Sequence, residues 1–136
     1  MAKKPQVLFV CAGSPIRSLM AEGFARYYGG AQVSVESAGT AVAAIDPYCQ
    51  WAMNEAGIDI ALQSPELLEN KDLSSYDRII AVGGDLPTLA SLATLERWDI
   101  PDPVTIRSGP QDLIKAFRGV RHQIERQVKK LLTSLL

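Results

Sequence analysis

Val7-Leu8-Phe9-Val10-Cys11-Ala12-Gly13-Ser14-Pro15-Ile16-Arg17-Ser18 is the stretch from which the fold can be read. Residues 7–10 are apolar and mostly β-branched or aromatic, the composition of a strand buried on both faces. A short loop containing Gly13 and Pro15 follows. From Leu19 to Tyr28 the apolar residues Met20, Phe24, Tyr27 and Tyr28 then fall at helical spacing. A loop joining such a strand to such a helix directs backbone N–H groups, and the positive end of the helix dipole, at one spot. That spot suits a tetrahedral oxyanion, held by the loop residues Ala12, Gly13, Ser14, Ile16 and Ser18. Cys11 lies at its floor, where the same field favours thiolate over thiol. Arg17 adds a planar fork able to hold two equatorial oxygens of a phosphoryl group in transfer. A buried strand cysteine beside a surface arginine is the plainer reading of these residues. The strand before, the helix after and the hydroxyl of Ser18 favour the oxyanion loop.

Outward from this unit, strand and helix alternate to the end of the chain. Gly29-Gly30 closes the first helix. Gln32 to Ser37 alternates with period two and predicts a second strand leading into Ala38-Gly39-Thr40. Asp46 as N-cap and Pro47 at the first helical position start a second helix, which Gly57 stops. A short capped turn at Ser64-Pro65-Glu66 precedes a third strand over Tyr76 to Val82, broken by Gly83-Gly84. Leu86 to Ala93 reads as a short helix and Leu95 to Ile100 as a short last strand. From Ser108-Gly109-Pro110 a long helix presents Leu113, Phe117, Val120, Ile124, Val128, Leu131 and Leu135 on one face. This alternation predicts an α/β domain: a four-stranded parallel sheet with helices on both faces and right-handed crossovers. In such sheets the ligand lies beyond the carboxyl ends of the strands, where the winding reverses. The Cys11 loop hangs from that end of the first strand.

At 136 residues the expectation is a single domain spanning 1–136, large enough for a true core. A hydrophobic share of 47% with net charge −1 describes an ordinary soluble globule, with no charge excess to attract nucleic acid or a membrane surface. Two cysteines make no disulfide framework, and one histidine with them is too little for a zinc cluster, so no metal or other cofactor is implied. Lys3-Lys4 before an apolar run is no signal peptide, because the run is short and consumed by the first strand. A reduced, cytoplasmic setting is expected. The cations of the last helix, Lys115, Arg118, Arg121, Arg126, Lys129 and Lys130, read as a solvated face placed near its negative end, and His122 as exposed.

Cysteine, five residues, arginine and a hydroxyl, with Ala21-Glu22-Gly23-Phe24 following, closely resembles the low-molecular-weight protein tyrosine phosphatases. The thioredoxin-coupled arsenate reductases, which share their fold, match about as well. Ser37-Ala38-Gly39-Thr40, then Gly57-Ile58-Asp59-Ile60 and Gln63, extend the resemblance over nearly the whole chain. It implies a flavodoxin-like, three-layer fold in which the Ser37 hydroxyl braces the phosphate loop. It also implies that Asp102, in Ile100-Pro101-Asp102-Pro103, protonates the leaving oxygen and later activates water. Turn chemistry alone would otherwise account for an aspartate between two prolines.

The reaction so implied is two-step phosphomonoester hydrolysis. Cys11 attacks phosphorus, Arg17 and the loop hold the oxygens, Ser18 hydrogen-bonds the thiolate, and water cleaves the cysteinyl phosphate. The substrate would be a phosphorylated protein or a small phosphomonoester. The reductase alternative takes arsenate and needs a thiol reductant. A third class is a catalytically weak relative that binds phosphate or a partner.

The departures from the family pattern are local. Ser14 stands where the family usually has asparagine, Pro15 lacks an N–H, and Ile16 replaces a second cysteine common in the phosphatases. Val104-Thr105 and Ala41-Val42-Ala43-Ala44 occupy the places of the aromatic residues that flank a phenolic ring. The reductases pass oxidation to cysteines after the third strand, where this chain has Gly83-Gly84-Asp85. Only Cys49, in the first turn of the second helix, remains as a redox candidate; a small half-buried helix residue is the plainer reading of it.

Overall fold

A computed structural model describes residues 3–41, 44–89, 92, 94–105 and 109–136. Its strands are β1 (Gln6–Cys11), β2 (Ser34–Gly39), β3 (Glu66–Leu67), β4 (Arg78–Ala81) and β5 (Leu95–Arg97), and its α-helices are α1 (Ile16–Gly29), α2 (Pro47–Glu55) and α3 (Pro110–Leu135). All strand pairs are parallel, in the order β3-β2-β1-β4-β5. The fold is the expected flavodoxin-like one, with five strands rather than four. The extra strand is the two-residue β3, which pairs only with Ala38 and Gly39 at the end of β2. Nothing so short carries a period.

β1 occupies the centre because its residues are apolar on both sides. Val7 and Phe9 enter one core, Leu8 and Val10 the other, and all four are at most 1% exposed. The two cores differ in their cover. The first takes Met20 and Phe24 from α1, Cys49, Ala52 and Met53 from α2, and Phe117, Val120, Ile124 and Val128 from α3. The second is closed by Leu86 and Leu89, with Leu68, Leu73, Tyr76 and Leu92 packed against it, from segments whose helical turns are 3-10. The helix expected over 86–93 is in its described part a 3-10 turn at Pro87–Leu89; Ala90, Ser91 and Ala93 lie outside the described residues. Among the described residues no helix is long and apolar enough to cross a membrane.

The expected stripe of α3 is buried from Phe117 to Leu131, with Leu113 and Leu135 partly buried at its ends, and His122 is exposed. Its basic face, however, is not simply solvated. Arg121 is 8% exposed and donates to the Ala52 carbonyl (2.7 Å) and to Glu55 (2.7 Å). Arg118 makes a bidentate pair with Glu55 and lies over the Trp51 ring. The bonds from Arg118 and Arg121 hold the Glu55 carboxyl down at about 2. These cations therefore dock α3 on the last turn of α2. Replacing Arg121 by alanine strands a buried carbonyl and should cost about 1–3 kcal/mol in chemical denaturation. Arg118→Ala, at the exposed end of the same contact, should leave stability little changed.

Candidate active site

Four strand ends meet at one rim. β1 ends in Cys11, β2 runs into Gly39 and Thr40, β4 is followed by Gly83, and the chain after β5 passes through Ile100 and Asp102. β2 and β4 lie on opposite sides of β1, so Cys11 stands at the point where the winding reverses.

The loop from Cys11 feeds directly into α1, which starts at Ile16, earlier than the apolar spacing alone indicates. Arg17 and Ser18 therefore sit in the first turn, where helix N–H groups lack intrahelical partners. Cys11 Sγ lies 3.2 Å from Ser18 Oγ and donates to the Ser14 carbonyl at 3.5 Å. The Ser18 hydroxyl is also within reach of the Pro15 (3.2 Å) and Ala38 (3.3 Å) carbonyls. Ser18 thus has acceptors for its proton while the sulfur is a thiol, and can turn that proton to the sulfur when it is a thiolate. Cys11 and Ser18 are fully buried, Arg17 nearly so, while Gly13 and Ser14 form the exposed crest of the loop.

Arg17 is held across the rim. Its Nη1 donates to the Ile100 carbonyl at 2.8 Å. The backbone of Gly83 presses on it: a Cβ there would come within 2.3 Å of Arg17 Nη1 and 2.5 Å of Ile100 O. Gly84 is packed the same way, its Cβ position lying 2.6 Å from Ala12 Cβ. Both glycines have positive φ, 113° and 83°, so shape and backbone conformation agree in excluding a side chain. Asp102, expected as the general acid, follows two residues after the carbonyl that holds Arg17, and its Oδ1 accepts the Val104 N–H at 3.0 Å. Cys11, Arg17 and the Asp102 loop are therefore brought to the same place. The Thr105 side chain, Val42 and Ala43, named above where aromatic walls are missing, lie outside the described residues.

Pro15 reshapes the loop beyond removing one donor. With φ −81° and ψ 45° it centres a three-residue turn, in which the Ile16 N–H reaches back to the Ser14 carbonyl at 2.8 Å. The Gly13 N–H is likewise engaged, by Thr40 Oγ1 at 2.6 Å. The Ala41 N–H answers from the other side, donating to the Gly13 carbonyl at 3.1 Å. Gly39 lets the two loops touch, since a Cβ on it would meet Gly13 O at 2.7 Å. The loop is thus braced by Thr40 and Gly39.

Ser37 does not brace it. Its buried hydroxyl donates to Glu22 of α1, whose other oxygen accepts from Arg26, and Arg26 in turn holds the Val35 carbonyl. The Ser37–Glu22–Arg26 chain pins α1 to β2 one layer below the site. Thr40 is the brace instead, and its only signal in the sequence is a hydroxyl at the loop-facing end of the Ser37–Thr40 turn. Gln63 also finds a structural task, its amide donating to the Leu19 carbonyl of α1.

Cys49 is fully buried, its thiol donating to the Ile16 carbonyl at 3.8 Å. Burial, then the Asp46 carboxylate that caps α2 and the neighbouring Cys11, push the Cys49 thiol up to about 12. Among the described residues no cluster of metal-ligating side chains occurs.

A strand-end cysteine and a helix-borne arginine, joined by one loop at the switch point of a parallel sheet, define a cysteine-centred α/β domain. The family model for low molecular weight phosphotyrosine protein phosphatase matches residues 6–136, and the chain belongs to that family. Among its relatives, an arsenate reductase of Shouchella clausii is 33% identical over 134 residues, covering 96% of each chain. A glutaredoxin arsenate reductase of Synechocystis is 32% identical over 134 residues, covering 96% of this chain and 98% of its own. Among solved structures, an arsenate reductase in the phosphate binding state superposes with a TM-score of 0.81 at 32% identity, covering 97% of this chain and 99% of that one. The low molecular weight protein tyrosine phosphatase of T. tengcongensis reaches a TM-score of 0.80 at 22% identity, covering 97% of this chain and all of its own, and so shares the fold.

Two outcomes follow from this geometry. Gly83→Ala should displace Arg17 and weaken phosphate binding, by calorimetry, on the order of a hundredfold, the scale of losing a preorganised donor. Alkylation of the folded protein at pH 8 should modify Cys11 and spare Cys49, whose thiol stays protonated there; peptide mapping reads both sites.

Proposed function

We propose that this protein is an arsenate reductase using Cys11 as its only reacting cysteine, with the second thiol brought from outside. The reading is carried by the Cys11–Ser18 pair beneath a fixed Arg17, in a chain whose arsenate reductase relatives match it nearly end to end. The missing aromatic walls fit it too, since arsenate has no ring to flank. Arsenate enters the loop with its oxygens toward Arg17 and the first-turn amides of α1. Binding requires the Ser14 carbonyl to turn away from the sulfur, because a carbonyl oxygen repels both thiolate and oxyanion. The Ser18 hydroxyl then faces the Cys11 thiolate, which attacks arsenic. One oxygen leaves as water with a proton from Asp102.

An external thiolate next attacks the Cys11 sulfur. The sulfur–arsenic electron pair passes to arsenic, arsenite leaves, and a mixed disulfide remains. A second external thiol releases Cys11. The name of the Synechocystis relative points to glutaredoxin as one source of such thiols. Phosphomonoester hydrolysis is the second reading, favoured by Asp102 lying on the Arg17 rim.

Side-by-side assays separate the two. Arsenate with dithiothreitol should turn over, Cys11→Ser should abolish this, and Cys49→Ser should leave it unchanged. Nitrophenyl phosphate hydrolysis without arsenate turnover would instead establish the phosphatase. In that case Asp102→Asn should harm esters with poor leaving groups far more than the nitrophenyl ester.

A further inference from the structure

A loop that cradles an oxyanion does so with its backbone amides, so the partner of each amide in the free chain sets what a ligand gains. Pro15 has no N–H, and the Ile16 N–H is held by the Ser14 carbonyl at 2.8 Å. The Ala12 N–H reaches the Gly83 carbonyl only at 3.5 Å, a long and weak bond. The Gly13 N–H is different. Gly13 has the left-handed backbone, φ 74°, that an anion nest requires, yet its amide donates to Thr40 Oγ1 at 2.6 Å.

Thr40 reaches the loop because of the sheet. Cys11 pairs with Gly39 in the parallel register, so the residue after β2 emerges beside the residues after β1. The Ala41 N–H donates to the Gly13 carbonyl at 3.1 Å, and both polar groups of Gly13 are therefore taken by the segment from 39 to 41. A Cβ on Gly39 would lie 2.7 Å from Gly13 O and 3.1 Å from Pro15 Cβ, so the bare backbone at the end of β2 rests against the crest. With Gly13 held in this way, the next carbonyl, that of Ser14, lies 3.5 Å from the Cys11 sulfur. The bond from Gly13 to Thr40 is exposed, and water can satisfy both groups when it opens.

Both readings above require an oxyanion at the Cys11 loop, and on that basis we propose that Thr40 sets how tightly it binds. The Thr40 hydroxyl is a latch on the Gly13 amide, and a tetrahedral anion at Arg17 binds by taking that amide from it. Thr40 touches no reacting atom in this role; it acts through Gly13, as a positioning residue. The anion has to displace a 2.6 Å bond before it gains the amide, so the latch subtracts from binding. The amide grips a ligand oxygen, and neither the attacking sulfur nor the leaving oxygen, so it serves bound substrate and transition state alike. Removing the latch therefore lowers KM and leaves kcat unchanged.

The test compares wild type with Thr40→Val, which keeps the shape and loses the hydroxyl, and Thr40→Ser, which keeps the hydroxyl. Thermal melting checks the fold of each. Calorimetric titration with inorganic phosphate should show Thr40→Val binding about three- to tenfold more tightly than wild type, the range of one exchanged hydrogen bond. Thr40→Ser should bind as wild type does. With arsenate and dithiothreitol, Thr40→Val should lower KM by the same factor at unchanged kcat. In wild-type protein labelled with nitrogen-15, phosphate should shift the Gly13 amide resonance as it changes acceptor. An unmoved Gly13 resonance in phosphate-saturated wild type overturns the latch without recourse to any variant. Weaker phosphate binding by Thr40→Val overturns it too, because the hydroxyl then preorganises the loop or contacts the anion itself. Equal affinities in all three proteins, or Thr40→Ser behaving as Thr40→Val, also overturn it. Tighter phosphate binding by Thr40→Val with no arsenate turnover in any of the three supports the latch and overturns the arsenate reading alone. Phosphate binding to none of the three sinks the oxyanion site itself, and the latch with it.

Discussion

The reactive rim depends on where the Arg17 guanidinium is held. One side chain from the first turn of α1 crosses the carboxyl end of the sheet, donates to the Ile100 carbonyl and rests on the backbone of Gly83. Through it the Cys11 loop, the glycine turn after β4 and the segment carrying Asp102 are fixed relative to one another. A guanidinium so placed is preorganised: it need not be gathered from solvent when charge develops on the bound oxyanion. The contact also makes the glycines obligatory. Positive φ alone would tolerate asparagine at some cost, but a Cβ at 83 would overlap Arg17 itself.

Much of this could be read from the chain because the informative residues are close together. Cys11, Arg17 and Ser18 fall within eight positions, and Asp46-Pro47 caps α2 as turn chemistry requires, its carboxylate accepting from the N–H groups of Tyr48 and Cys49. The stripe of α3 is long enough for its period to be plain. Failures fall where the deciding partner is remote. Ser37 stands beside the loop in the sequence, yet it bonds Glu22, which only the packing of α1 on β2 brings near. Arg121 reads as a surface cation, yet the end of α2 buries it. β3 was invisible because two residues pair only where Gly39 presses against Gly13. β2 itself runs two residues further than its alternation suggests, since the turn residues Ala38 and Gly39 still pair with β1.

Pro15 shows how one residue redistributes a loop's donors. A proline at that position would be expected to subtract one amide from the oxyanion nest. Its fixed φ does more, bending the chain so that the Ile16 amide is spent on Ser14 and the Ser14 carbonyl is aimed at the sulfur. Thr40 takes the Gly13 amide in the same arrangement. Anion binding must then exchange several internal hydrogen bonds for bonds to the ligand. Such an exchange lowers affinity without removing the chemistry, because Arg17, Ser18 and the helix dipole remain in place.

The glycine turn and the shortage of cysteines are two views of one constraint. A relay thiol after β4 would have to occupy the space that Arg17 and Ala12 now fill. Housing it there would mean loosening the arginine, and with it the charge stabilisation of the first chemical step. Cys49 offers no way round, since reaching Cys11 would mean breaking its bond to Ile16, exposing the thiol and unpacking the start of α2. On the arsenate reading proposed above, a rim that keeps its arginine fixed imports its second thiol. The exposed crest at Gly13 and Ser14 is then the side of the loop left open to it. The tightness that fixes Arg17 and the lack of a cysteine in the turn after β4 thus have the same physical origin.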